Sequence, residues 1–112
     1  MTLKSTIADD TRIIEVDADR IDAAMAIQFK EDMRTETLEG PDRVVLDLSK
    51  VDFIDSSGLG AIVASMKQMG GKRRLDLAGL TPTVDKVFRL TRMDTVFALF
   101  PTVDDAVAPN AG

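Results

Sequence analysis

A change of hydrophobic period near the middle of this chain constrains its fold more than any other feature. Arg43 to Leu48 contains Val44, Val45, Leu46 and Leu48, a dense apolar run of the kind found in a strand covered on both faces. After a loop through Ser49 to Asp55, the residues Leu59, Ile62, Val63 and Met66 fall at i, i+3, i+4 and i+7, the stripe of an amphipathic helix. Gly70-Gly71 stops that helix, with Lys67 and Lys72 near its carboxyl end. Arg74 to Ala78 then reads as a second strand, with Leu75 and Leu77 on one face. Strand, helix and strand in this order predict α/β architecture with a largely parallel sheet.

The flanks extend the pattern. Leu3 to Ala8 and Thr11 to Val16 read as two short strands joined at Asp9-Asp10, a turn-prone pair suited to a hairpin. From Asp22 to about Glu39, Ala26, Phe29 and Met33 recur at helical spacing, and Gly40-Pro41 ends this first helix. Thr81-Pro82 is a helix cap with proline at the first helical position, and Val84, Val87, Phe88 and Thr91 continue the third helix. Lys86, Arg89 and Arg92 suit its last turns, where they answer the helix dipole. Val96 to Phe100 is a candidate edge strand. Thr102 and Asp105 form a capping signature for a short last helix, followed by a frayed tail over 109–112.

A chain of 112 residues can bury one core but not two, so a single domain over 1–112 is expected, its core spanning about 3–108. Hydrophobic residues make up 45% and charged residues 29%, an ordinary globular balance. Fourteen basic against nineteen acidic side chains give a net charge of −5, the wrong sign for binding a nucleic-acid backbone. The sequence contains no cysteine and no histidine, which excludes disulfides, thiol chemistry, histidine-ligated zinc or haem, and every triad with an imidazole base. The amino terminus lacks the apolar stretch of a signal peptide, and no apolar run approaches a membrane span. A cytoplasmic location without membrane insertion is therefore expected.

If the strands at 11–16, 43–48 and 74–78 are parallel with right-handed crossovers, the loops leaving their carboxyl ends share one rim of the sheet. The first loop brings Asp17, Asp19, Arg20 and Asp22; the second brings Asp52, Asp55, Ser56 and Ser57; the third brings Gly79 and Thr81. The expected rim is acidic and carries serines at a helix start. Ser56 or Ser57 as a plain helix cap is the simplest account of the segment Asp55-Ser56-Ser57-Gly58-Leu59-Gly60. Gly58 and Gly60 argue for more, since each costs about 1 kcal/mol relative to alanine in a helix, and a bare backbone suits close approach by another molecule. A phosphate on Ser56 would also meet free backbone N–H groups at a helix amino terminus.

Competing chemistries fit poorly. The serines do not lie in Gly-x-Ser-x-Gly, and no histidine could serve as base. Asp17-x-Asp19 resembles the start of a calcium loop, but Asp22 stands where glycine is needed and Gln28 where glutamate is. Gly58-x-Gly60 lacks the third glycine of a dinucleotide fingerprint, and no phosphate-cradling lysine follows. A binding module, and not an enzyme, is the expectation.

Val44-Val45-Leu46-Asp47-Leu48 followed by Val51-Asp52-Phe53-Ile54-Asp55-Ser56-Ser57-Gly58-Leu59-Gly60 resembles the core of a STAS domain, most of all the single-domain anti-sigma-factor antagonists of bacteria. The likeness runs from about residue 3 to about 108 and includes Leu80 to Val84 and Val87 to Thr91. It implies a mixed, mostly parallel sheet with helices packed mainly on one face. It also implies a partner switch in which the unphosphorylated antagonist binds an anti-sigma factor that is itself a serine kinase. That kinase phosphorylates the antagonist with ATP, and a metal-dependent serine phosphatase reverses the mark. The phosphoacceptor of the family maps to Ser56, with Asp22, Asp52, Asp55, Ser57, Gly58 and Gly60 on the partner surface, and no cofactor is implied. One departure is Asp19-Arg20-Ile21-Asp22, which lacks the glycine usual in that lead-in. Two other roles of the same family stand as alternatives: a subunit of a lipid-transport ATPase complex, and a small-molecule or nucleotide sensor.

Overall fold

In the computed structural model, which describes residues 3–107, the dense apolar run becomes the centre of a sheet. The strands are β1 (Leu3–Ala8), β2 (Thr11–Val16), β4 (Arg43–Asp47), β6 (Arg74–Ala78) and β7 (Leu99–Phe100), lying side by side in that order. β1 runs antiparallel to β2, and every later pairing is parallel. The hairpin turns at Asp9 and Asp10, both at positive φ (49° and 63°), a conformation that aspartate tolerates better than most side chains.

Three helices, α1 (Ala26–Thr37), α2 (Ser56–Gln68) and α3 (Pro82–Leu90), supply one side of the main core. Phe29 and Met33 of α1, Ile62 of α2, and Val84 and Phe88 of α3 are fully or almost fully buried against Ile14, Val16, Val44, Leu46, Leu75 and Leu77 of the sheet. Removing each such side chain from water contributes about 1.5–3 kcal/mol. Strand pleating sends Val45 and Ala78 to the other face, where they meet Ala106 of the short helix α4 (Val103–Val107). The expected arrangement, a mostly parallel mixed sheet with helices mainly on one face, is the observed one.

α4 is fastened by charge as well as by packing. Asp76, 1% exposed, points to its face between two arginines: Arg43 donates to it through Nε and Nη2 (2.9 and 2.8 Å), and Arg74 through Nε (2.7 Å). The remaining Arg43 nitrogen, Nη1, donates to the carbonyl of Ala106 at 2.6 Å. The guanidinium therefore satisfies a buried carboxylate and the carboxyl end of α4 together.

Several boundaries differ from the sequence expectation. α1 begins four residues later than Asp22, because the Asp22 carboxylate accepts from Ala24 N (3.1 Å) and holds 22–25 in a turn. The stretch 49–55 is not all loop: Phe53–Ile54, strand β5, pairs in parallel with Arg20–Ile21, strand β3, in a separate two-stranded sheet. Only Leu99 and Phe100 of the candidate 96–100 strand are in register with β6; the Ala98 carbonyl still accepts from Leu77 N (3.0 Å), and Val96 and Phe97 instead donate their N–H groups to the Met93 carbonyl at the end of a 3₁₀ turn over Met93–Thr95. Arg92 lies outside α3 at φ 61°, so it does not serve that helix's last turn. The expected tail at 109–112, and residue 108, lie outside the described residues.

Candidate functional site

The carboxyl ends of β2, β4 and β6 face one rim, and their loops meet there. Asp52 N donates to Asp19 O (2.8 Å), Asp55 N to Ile21 O (3.4 Å), and the Thr81 hydroxyl to Val51 O (2.8 Å). All three loops expected at this rim are therefore present, with Asp22 and Ser56 at the same end of the sheet.

Ser56 opens α2, but neither it nor Ser57 caps the helix. Asp55 is the cap: its backbone is extended (φ −103°, ψ −177°), and its Oδ1 accepts from Gly58 N at 2.8 Å. Its Oδ2 accepts from Ala23 N at 3.1 Å, which ties the start of α2 to the turn before α1. These bonds favour the ionised carboxylate. The Gly58 N–H is the foremost cause that lowers its pKa, with the N–H groups of Ala23 and Ser57 and the charge of Arg20 adding to it. The Gly58 N–H is thus already taken by an anion, whereas the N–H groups of Ser56 and Ser57 make no hydrogen bond among the described residues, so the expectation of free N–H groups at this helix start holds in part. Ser56 and Ser57 are left with exposed side chains pointing outward.

The two glycines differ in their reasons. Gly58 is buried, and a Cβ on it would lie 2.0 Å from the carbonyl oxygen of Ile21. The close approach inferred from this glycine is thus made by the chain's own strand β3, which corrects the expectation of an outside molecule at that position. Gly60 is exposed with nothing within 4 Å of its notional Cβ, so it alone presents bare helix to solvent.

The sequence model of the STAS domain family matches residues 2–106. The chain belongs to that family. Among its relatives is BtrV of Bordetella bronchiseptica, named as a candidate anti-sigma factor antagonist, 30% identical over 89 residues that make up 79% of this chain and 77% of the relative. RsfB of Mycobacterium tuberculosis, named an anti-sigma-F factor antagonist, is 26% identical over 108 residues, 96% of this chain and 88% of the relative. Among solved structures, an anti-sigma factor antagonist from Mycobacterium paratuberculosis superposes with a TM-score of 0.84 at 27% identity, covering 95% of this chain and 90% of that one.

The rim of this STAS domain is less acidic than its sequence suggests. Asp17 is paired with Lys50 (3.2 Å) and Lys4 (3.5 Å), and the Lys50 hydrogen bond, followed by the Lys4 charge, holds its pKa below the ordinary value. Lys50 also reaches Glu15 at 3.4 Å. Asp22 is 3.5 Å from Arg20. Among the described residues, the Asp52 side chain is exposed and makes neither a hydrogen bond nor an ion pair. Beside Ser56, then, one carboxylate is unengaged, one caps the helix and one is matched by an arginine.

Sequence reasoning placed Arg20 on this rim but passed over Phe53 and the contact between the two. Phe53 is 41% exposed, and the Arg20 guanidinium lies 4.9 Å from its ring centre. Their adjacency comes from the β3–β5 register, in which Arg20 is the partner of Phe53. Two-residue strands leave almost no periodic trace, and the apolar pair Phe53-Ile54 set between Asp52 and Asp55 is the faint signal available. No described helix is long and apolar enough to cross a membrane. An open groove of about 460 Å³ lies near the far end of the sheet, between Arg73–Asp76 and Asp94–Ala98, and it shares no residue with the rim.

Proposed function

We propose that this STAS domain is an anti-sigma-factor antagonist working as a phosphorylation-controlled partner switch in the cytoplasm, a binding module with no reaction of its own. The partner is an anti-sigma factor that is also a serine kinase. It is bound while Ser56 is unmodified and released when its γ-phosphoryl transfer from ATP converts the Ser56 hydroxyl into a phosphoester, with ADP leaving. A metal-dependent serine phosphatase hydrolyses that ester and restores binding. The observation that carries this proposal is the exposed Ser56 hydroxyl at the first position of α2, held on a rim with Asp22, Asp52 and Asp55. The names borne by BtrV and RsfB support the sigma-factor context.

The physics of the switch is local. A phosphoserine adds about −1.5 to −2 charges at pH 7, beside a helix start that tolerates negative charge, so the fold survives. Within an interface the same group must shed water next to Asp52 and Asp55, which opposes docking. A penalty of about 3 kcal/mol weakens affinity roughly 150-fold, enough to operate a switch.

The test is mass spectrometry of the ATP-treated complex together with partner binding by three variants. Ser56→Ala should bind permanently, Ser56→Asp poorly, and Ser57→Ala should still accept phosphate. Phosphate on Ser57 moves the site by one residue. No phosphate, with normal binding by Ser56→Asp, ends the switch and favours the role in a lipid-transport complex.

A further inference from the structure

We propose that Arg20 is the receptor for the phosphate on Ser56: on phosphorylation its guanidinium leaves Asp22 and Phe53 and closes on the phosphoryl oxygens. This rests on the phosphorylation of Ser56 proposed above. The usual receptor for such a group, the start of its own helix, is shared here with another anion. Gly58 N is bonded to the Asp55 carboxylate at 2.8 Å, so a phosphate placed there stands beside that carboxylate and has only the Ser56 and Ser57 N–H groups to meet. A dianion next to a carboxylate is better matched by a nearby cation.

Arg20 is placed to supply it. It sits on β3 directly beside β5, the strand that runs into Asp55 and Ser56, and its charge is already felt by the Asp55 carboxylate. It is also loosely held. Its side chain is 55% exposed, its ion pair with Asp22 is a single 3.5 Å contact, and its remaining engagement is the face of Phe53. An exposed pair of this kind is weak, whereas a guanidinium fork on a phosphate makes two parallel charge-assisted bonds. The other rim cations are committed elsewhere: Lys50 to Glu15 and Asp17, and Lys4 to Asp17. Transfer of Arg20 would uncover the Phe53 ring and release the Asp22 carboxylate. The modified rim would then differ from the unmodified one in three places, not one.

The experiment uses the whole chain with phosphoserine incorporated at position 56 during synthesis, so that no kinase is needed. The second ionisation of phosphoserine lies near pH 6 and is followed by phosphorus NMR. Pairing with Arg20 is expected to lower it by roughly one unit. Arg20→Gln, a change on an exposed side chain that leaves the core untouched, should return most of that shift, and Arg20→Lys should keep part of it. Asp22→Asn, which removes the competing carboxylate, should lower the value further. The Phe53 ring protons should move on phosphorylation in the native chain and not in Arg20→Gln. An ionisation that is the same in native and Arg20→Gln chains, or ring resonances indifferent to phosphate, overturns the proposal. Failure of a cognate kinase to modify Ser56 would sink the switch and leave this titration standing, so the two can fail separately.

Discussion

The backbone N–H of Ala23 donates to the carboxylate of Asp55, 32 residues further along the chain, at 3.1 Å. One side chain thereby caps α2 and anchors the turn that leads into α1. Asp55→Ala should lower the thermal midpoint and increase hydrogen exchange at both Ala23 and Gly58. The pKa of Asp55 is depressed in the fold, so its contribution is present above the unfolded value near 3.8 and is lost as pH falls through the lower folded value. The gap in stability between native and variant chains should accordingly be constant near neutrality and shrink under acid conditions. Denaturant titrations at several pH values measure it, and a gap that widens on acidification would contradict the assignment.

Gly58 and Gly60 should respond in opposite directions to the same change. Gly58→Ala forces a methyl against the Ile21 carbonyl and should cost about 3 kcal/mol, a severe case of overpacking. Gly60→Ala meets open space inside a helix and should stabilise by about 0.5–1 kcal/mol. Urea unfolding of the two variants decides it, and equal effects would show that the α2–β3 contact is not close.

Arg43→Met should release the far face of the sheet while sparing the rim. Asp76 would keep Arg74 but lose its other partner, at a cost of about 3 kcal/mol, the lower end for breaking a buried pair. The amides of Val103–Val107 should exchange faster than in the native chain, since Ala106 O loses its donor. Unchanged protection there would mean that apolar packing alone holds α4.

Asp22→Asn keeps the acceptor oxygen that bonds Ala24 N and should therefore fold normally. On the proposed function, loss of its charge should weaken binding of the kinase partner about fivefold, ~1 kcal/mol, and flatten the salt dependence of association. Titration calorimetry at two ionic strengths reads both quantities. Affinity indifferent to the substitution and to salt would remove Asp22 from the interface.

Much of this arrangement was legible in the sequence, and what was missed shares a physical cause. β4, α2 and β6 carry long periodic signals, so their types, order and rim followed from residues such as Val45, Ile62 and Leu77. The capping role escaped because aspartate and serine are comparable caps, and only backbone geometry separates Asp55 from its neighbour. Gly58 marks a close approach in the sequence, but the sequence does not reveal that Ile21 and not an outside molecule fills the space. The pairing of Asp17 with Lys4 and Lys50 depends on contacts between separate segments, so counting carboxylates overstated the acidity of the rim.

The contact between the Ile21 carbonyl and Gly58 also limits how information can be stored in this molecule. With backbone pressed on backbone, the start of α2 cannot sink toward β3, and any group added at Ser56 must extend into solvent. A mark at that position is therefore written on a stiff surface, like raised type, and can be added or removed without refolding. The speed of such a signal would be set by the enzymes that write and erase it, and its memory would last only as long as one ester bond.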